Sequence, residues 1–330
     1  LIALRETFPC MRLKVDGARL EKTLRETGEV GATPSGGVSR LALSDADREA
    51  RDLLVSWFRE LSLDVNVDPI GNIFATQRGR DDSAPVVMGS HIDTVKDAGT
   101  FDGALGVLGA LEVLRTLDVA DVVTAKPVAV AVFTNEEGAR FQPDMMGSMV
   151  FTGKLGVEEA YASRDDDGVT VGQELDRIGY RGEDSLTPSC YLELHVEQGP
   201  VLHSTGLDIG VVEGVQGIAW WHGGYVGEAN HAGTTPIELR RDALLGASDL
   251  NVRLRALAEE LGEATVATMG RLRPSPDVIN VVPGRADFTV DFRQYAPRLF
   301  TEGKHRVEAL VGEAAERHRL ESSLRQSADA

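Results

Sequence analysis

Two nearly uninterrupted apolar runs, residues 84–91 (APVVMGSH) and 126–134 (KPVAVAVFT), flank a segment, 103–117, in which Val107, Leu108, Leu111 and Leu114 recur at helical spacing. A strand buried on both faces reads as such a run, and two of them joined through a helix imply a parallel pair, which needs a crossover. The order strand, helix, strand therefore predicts an α/β fold with a mixed, mainly parallel sheet flanked by helices. Ahead of it, Ser44 is placed to cap a helix carrying Ala50, Leu53, Leu54, Trp57, Phe58 and Leu61 at core spacing. Residues 63–79 read as a hairpin turning at Asp68, Pro69, Ile70 and Gly71, and residues 190–199 (CYLELHVEQG) as a third apolar strand.

Around Val212 the pattern changes: Gly210, Gly214 and Gly217 punctuate a passage into an alternating segment, 218–233. Residues 236–261 and 301–318 then read as helices and 263–274 and 285–293 as strands, so a smaller α+β domain, 213–330, should follow a larger one, 1–212. A chain of 330 residues with 42% hydrophobic content can bury the cores of both. A net charge of -18 argues against nucleic acid and anionic membrane, which reward clustered Lys and Arg, and leaves a small molecule as the expected partner. The acid excess also raises adaptation to salt, although runs such as 165–167 are ordinary solvated loops. No apolar run reaches bilayer length, and the first ten residues are too short and too charged for a secretory signal; Met11 is the expected start. Two cysteines, Cys10 and Cys190, make neither a disulfide framework nor a thiolate zinc site, which points to a reducing, cytoplasmic setting.

The ionisable residues fall at telling places on this map. His91 and Asp93 follow one expected strand, Glu136 and Glu137 another, and His195 lies near the end of the third, while Asp102 sits in the loop GTFDG. Open α/β sheets gather ligands at the carboxyl ends of their strands, and imidazole with carboxylate suits zinc and its first-row neighbours. A single histidine at a strand end is commonly a hydrogen-bonded structural residue, and an Asp before a Gly is commonly a turn. Three strand ends delivering ligand-type groups together raise a metal-dependent hydrolase beside that bland reading.

The strings GSHIDTVKDAGTFDGALGV, FTNEEGARF, ELHVEQGPVL and GEANHAGTTPIELRRDA resemble, in order and spacing, the amidase branch of the aminoacylase and carboxypeptidase metallopeptidase superfamily. That branch comprises N-carbamoyl-L-amino acid hydrolases, beta-ureidopropionases and allantoate amidohydrolases. The resemblance runs from about Met11 to the end, and the string GATPSGGVSRLALSDADREARD favours the carbamoylase side. It implies a zinc-exopeptidase-like catalytic domain over 1–212 and a lid and dimerisation domain over 213–330. It further implies two divalent ions (zinc, manganese, cobalt or nickel) and hydrolysis of the C–N bond of an N-carbamoyl-L-amino acid or related ureido acid.

Carried onto matching positions, the resemblance makes His91, Asp102, Glu137 and His195 the metal ligands, with Asp102 bridging. Asp93 would orient the His91 imidazole, and Glu136 would be the general base. His231 would stabilise charge on the substrate oxygen, Asn280 and Arg293 would hold the substrate carboxylate, and Gln198 would contact the ureido group. The remaining histidines, His203, His222, His305 and His318, match no family function. A homodimer is expected, the small domain delivering some groups to the neighbouring site.

Ile237, where the family often has methionine, is a minor departure. A larger one is that the resemblance implies a further metal-binding histidine from a later segment, whereas the chain ends at QSADA. An incomplete chain, metal-deficient at one site, is therefore the expectation. Two other readings stand beside the leading one: a peptidase or N-acyl amino acid hydrolase of the same superfamily, and a catalytically inactive, truncated dimerising protein.

Overall fold

The computed structural model describes residues 13–262 and 264–329, so the expectations placed on Cys10 and Met11 lie outside the described residues. The chain divides into two compact units that part between Leu207 and Asp208, a few residues ahead of the change of pattern at Val212.

The first unit contains α1 (Gly17–Glu29), α2 (Asp45–Glu60), β1 (Asp64–Val67), β2 (Ile73–Gln77), β3 (Val86–His91), α3 (Asp102–Val119), β4 (Val128–Phe133), α4 (Met146–Phe151), α5 (Val157–Ala162), α6 (Val171–Ile178), β5 (Cys190–Leu192) and α7 (Val201–Thr205). Its sheet has the order β1-β2-β4-β3-β5. β3 lies parallel to β4 and β5, while β1–β2 and β2–β4 are antiparallel, so the sheet is mixed, with its parallel part where the apolar runs placed it. All six residues of β4 are buried. Helix α3 is buried along most of its length, through Val107, Leu108, Leu111, Leu114 and Leu117 among others, so its hydrophobic stripe runs nearly all round.

The second unit contains β6 (Gly217–Val226), β7 (Asn230–His231), α8 (Ala243–Leu261), β8 (Val266–Ser275), β9 (Val281–Val282), β10 (Arg285–Gln294), α9 (Pro297–His318) and β11 (Glu321–Asp329). Four strands form an antiparallel sheet in the order β11-β6-β10-β8, and β7 and β9 form a separate short ladder. Strand β10 alternates strictly: Ala286, Phe288, Val290 and Phe292 are buried in a core shared with Leu250 and Leu254 of α8 and Val307 and Val311 of α9. The intervening Asp287, Thr289, Asp291 and Arg293 take the other face, as a period of two requires. Among the described residues no helix is long and apolar enough to cross a membrane.

Several elements depart from the sequence reading. The ladder of β5 stops at Leu192, so residues 193–199 are not strand, and Glu193 and His195 leave the sheet as a loop. Helix α8 begins only at Ala243, because the Asp242 side chain accepts the Leu245 N–H and fixes the start there. Helix α9 starts earlier than expected, at Pro297, where a missing N–H costs nothing. Helices α1, α4, α5, α6 and α7 and strands β9 and β11 were not anticipated.

A fully buried ion pair holds the first unit to its site. Arg51 of α2 donates to Asp47 at 2.9 Å, to the Gly71 carbonyl at 2.7 Å and to the Thr134 hydroxyl at 3.2 Å, linking helix, hairpin turn and the end of β4. Replacing Arg51 by Met strands a buried carboxylate and is expected to destabilise the protein by about 3–5 kcal/mol. Breaking the exposed Arg48–Asp52 pair should cost less than about 1 kcal/mol. Urea unfolding of the two variants measures both, and equal small losses would show that Asp47 finds compensation elsewhere.

Candidate metal centre

Strand β3 ends on His91, which is buried, and the chain then turns through Ile92, Asp93 and Thr94, all buried. Arg40, itself 2% exposed, grips this turn: its Nε donates to the Ile92 carbonyl at 2.7 Å, its backbone N–H donates to the Thr94 hydroxyl at 2.9 Å, and the Thr94 N–H donates to the Arg40 carbonyl at 2.9 Å. Burial pulls the Arg40 pKa below its ordinary value, opposed by Asp47 and Asp93. Nothing in the sequence reading identified Arg40, although a lone arginine inside VSRLAL was a visible signal.

The Asp93 carboxylate is fully buried and accepts the backbone N–H of Glu136 at 3.1 Å and of Glu137 at 3.2 Å. It thus fastens the loop after β4 to the loop after β3. The His91 Nδ1 hydrogen bond goes to the Asp93 carbonyl at 3.0 Å, while the nearer carboxylate oxygen stands at 3.8 Å. In this structure the main-chain carbonyl of Asp93 is the nearer partner of the ring, and its carboxylate is engaged by two amides. The Glu136–Glu137 loop is held from its other side as well, with Met145 N donating to the Glu136 carbonyl at 2.7 Å and Asn135 Nδ2 donating to Phe141 and Pro143 carbonyls.

Asp102 opens α3, where a carboxylate is favoured by the helix dipole. Its neighbour is necessarily a glycine: a Cβ on Gly103 would lie 2.2–2.6 Å from the His91 ring. His91, Asp102 and His195 each present one ligand-type atom, all within 4.8 Å of one another. The two imidazole rings are stacked with centroids 6.0 Å apart. His195 bonds the Val196 carbonyl through Nδ1 at 2.9 Å, so both rings turn Nε2 inward, toward Asp102 at 3.6 Å for His195 and toward Glu136 at 3.3 Å for His91. An imidazole whose Nδ1–H is held by a carbonyl offers its Nε2 lone pair, the usual arrangement for a metal-ligating histidine.

The carboxylates crowd. Burial, together with the neighbouring Asp102 carboxylate, pushes the Glu137 pKa up to about 8. Burial also raises Glu136, partly offset by His91, and raises Asp93. Burial lowers His91, but the surrounding Asp93, Glu136 and Asp102 outweigh it and raise its pKa. Carboxylates crowded beside two imidazole Nε2 atoms form a donor set suited to a divalent cation. Gln198, with a left-handed backbone, donates to Asp102 at 2.7 Å, so its amide is engaged with a candidate ligand.

In the second unit His231 pairs with Val281, and the Ala232 N–H donates to the Asn280 carbonyl at 2.9 Å, which brings His231 and Asn280 into one paired loop. His231 Nδ1 accepts the Gly233 N–H at 3.0 Å, leaving the ring proton on Nε2. Arg293 is elsewhere. The paired loop lies by the Arg285 end of β10, and Arg293 is at the other end, roughly 25 Å of strand away at about 3.3 Å per residue. One copy of this unit does not bring Asn280 and Arg293 onto a single carboxylate. The Asp291 carboxylate holds Arg293 side-on, through Nε at 3.1 and 3.2 Å and Nη2 at 3.0 Å. His222 stands 3.3 Å from Arg271, and His318 3.3 Å from Asp249.

Residues 87–328 match the peptidase family M20/M25/M40. The chain belongs to this family. An N-carbamoyl-L-amino acid amidohydrolase of Geobacillus stearothermophilus is 41% identical over 287 residues, 84% of this chain and 70% of that protein. An allantoate amidohydrolase of Bacillus subtilis is 31% identical over 289 residues, 86% of this chain and 70% of its own length. Among solved structures, a hydantoinase/carbamoylase family amidase from Burkholderia multivorans superposes with a TM-score of 0.93 at 43% identity, covering 96% of this chain and 78% of that one.

For this M20 chain the Glu137 shift fixes the sign of a pH effect. A carboxyl raised from 4.5 to about 8 stabilises the metal-free fold fully below pH 4.5 and loses that contribution as pH rises through 8. Asp68, raised by burial from 3.8 to about 6, acts in the same sense at lower pH. The Tm of the metal-free protein should therefore fall from pH 6 to pH 8.5, and Glu137→Gln should flatten that fall. An unchanged slope in the variant would assign it to other groups.

Proposed function

We propose that this M20 family member is a metal-dependent amidohydrolase that cleaves the C–N bond of an N-carbamoyl-L-amino acid. The observation that carries the reading is the convergence of His91, Asp102 and His195 beside the Glu136 carboxylate, in a chain 41% identical to a carbamoylase and 31% identical to an allantoate amidohydrolase. The residues that would hold the metal are His91, His195, Asp102 and Glu137, with two divalent ions of the zinc, manganese, cobalt or nickel type as the fitting occupants. When bound, such ions lower the pKa of water and polarise the substrate carbonyl.

The chain's own groups supply the rest. Glu136, kept in place by Asp93 and Met145 through its backbone, takes a proton from the attacking water and returns it to the leaving nitrogen. His231, protonated on Nε2, donates to the substrate oxygen as charge builds there. Arg293 and Asn280 bind the α-carboxylate. Because they lie at opposite ends of β10, the reading requires a homodimer in which one copy brings Arg293 and the other brings Asn280 and His231. A free, exposed Cys190 fits a reducing, cytoplasmic setting.

Parallel assays on N-carbamoyl, N-acetyl, dipeptide and allantoate substrates test the substrate class, with the carbamoyl compound expected to be turned over fastest. Faster turnover of the dipeptide would move the chain to the peptidase side. Glu136→Gln should retain metal and lose about 10²–10⁴-fold in kcat, and turnover within about twofold of the parent would remove it from the base role. For the dimer, Arg293→Ala and Asn280→Ala are each expected to be nearly inactive alone. Mixed and reannealed, they should recover roughly a quarter of parent activity, since one hybrid site in two is intact in half the dimers. Failure to complement would place both residues in one copy's site or in neither.

A further inference from the structure

We propose that Glu193 is a positioning residue that fastens the loop carrying His195 to the strand carrying His91, so that both imidazoles reach one metal ion. The proposal rests on the reading of these histidines as ligands. The β3–β5 ladder spans only three pairs, Val86 with Cys190, Val87 with Tyr191 and Met88 with Leu192, and then ends. His195, three residues beyond, is hydrogen-bonded through Nδ1 to its own neighbour's carbonyl, which fixes the ring but not the loop.

The join is made by side chains. The Glu193 carboxylate accepts short from the Ser90 hydroxyl, and Ser90 immediately precedes His91. Its other oxygen lies 2.7 Å from the Tyr191 hydroxyl, which is also 3.0 Å from the Gly89 carbonyl. One carboxylate two residues from His195 thus grips a hydroxyl one residue from His91. Helix α3 closes the arrangement from beneath, since a Cβ on Gly106 would meet the Leu194 carbonyl at 2.5 Å and Ser90 Cβ at 2.8 Å. Charge-assisted hydrogen bonds of this kind are the stronger ones, and residues that hold metal ligands in place commonly govern affinity by 10-fold or more.

The test measures zinc affinity of the metal-free protein by competition with a chromophoric chelator, beside its metal-free Tm. Glu193→Gln and Ser90→Ala should each weaken zinc by about 10-fold while the metal-free Tm stays near the parent value, and Glu193→Asp should recover part of the loss. A cobalt-loaded Glu193→Gln protein should show an altered visible spectrum. Unchanged affinity, or an affinity loss matched by a fall in metal-free Tm, overturns the proposal. His195→Ala separates the two levels of the argument. If it too leaves zinc affinity unchanged, the ligand reading fails and Glu193 falls with it; if it loses zinc while Glu193→Gln does not, only the role of Glu193 fails.

Discussion

The hydrogen bonds from the Glu136 and Glu137 amides to the buried Asp93 carboxylate fix the geometry on which the first unit's chemistry depends. They join the carboxyl ends of β3 and β4, two parallel neighbours whose apolar bodies give the sheet its core but say nothing about how the chain leaves it. A charge buried to this degree is tolerable only when its lone pairs are satisfied, and two main-chain donors do that while the Glu136 and Glu137 side chains remain available to the cluster. Arg40 and Arg51 act on the same loops from behind, through the Ile92 carbonyl and the Thr134 hydroxyl. The cluster is a set of acids held close by a buried polar scaffold, and its raised carboxyl pKa values are the electrostatic trace of that confinement.

How much of this was legible in the sequence depends on the length scale. The apolar runs at 84–91 and 126–134 with the helix between them specified β3, α3 and β4, because burial on both faces leaves no polar alternation to misread. The strand at 190–199 was read too long: apolar residues continue to Val196, but the ladder ends where the Ser90 and Tyr191 hydroxyls meet Glu193, and no periodicity encodes that exchange. The short helices of 146–178 were missed because each carries too few residues for a pattern, α6 being fixed by its Thr170–Gln173 capping box.

At the site, residue types and strand ends located His91, Asp102, the glutamate pair and His195, whereas their partners were not readable. The Asp93 carboxylate accepts two main-chain amides and the Gln198 amide donates to Asp102, contacts that only the path of the backbone reveals. Asn280 and Arg293 are thirteen positions apart in sequence, with most of β10 between them.

The side-on grip of Asp291 on Arg293 bears on discrimination among anions. With Nε and one N–H of Nη2 taken, the guanidinium presents a single end-on edge, two parallel N–H groups facing the same way. A planar two-oxygen acceptor fits that edge in register, whereas a spherical halide can meet only part of it, and the neighbouring Asp291 charge weakens any anion that lacks the matching shape. On the proposed reading of Arg293 as the carboxylate-binding residue, the tether to Asp291 selects for carboxylate geometry over that of a simple halide.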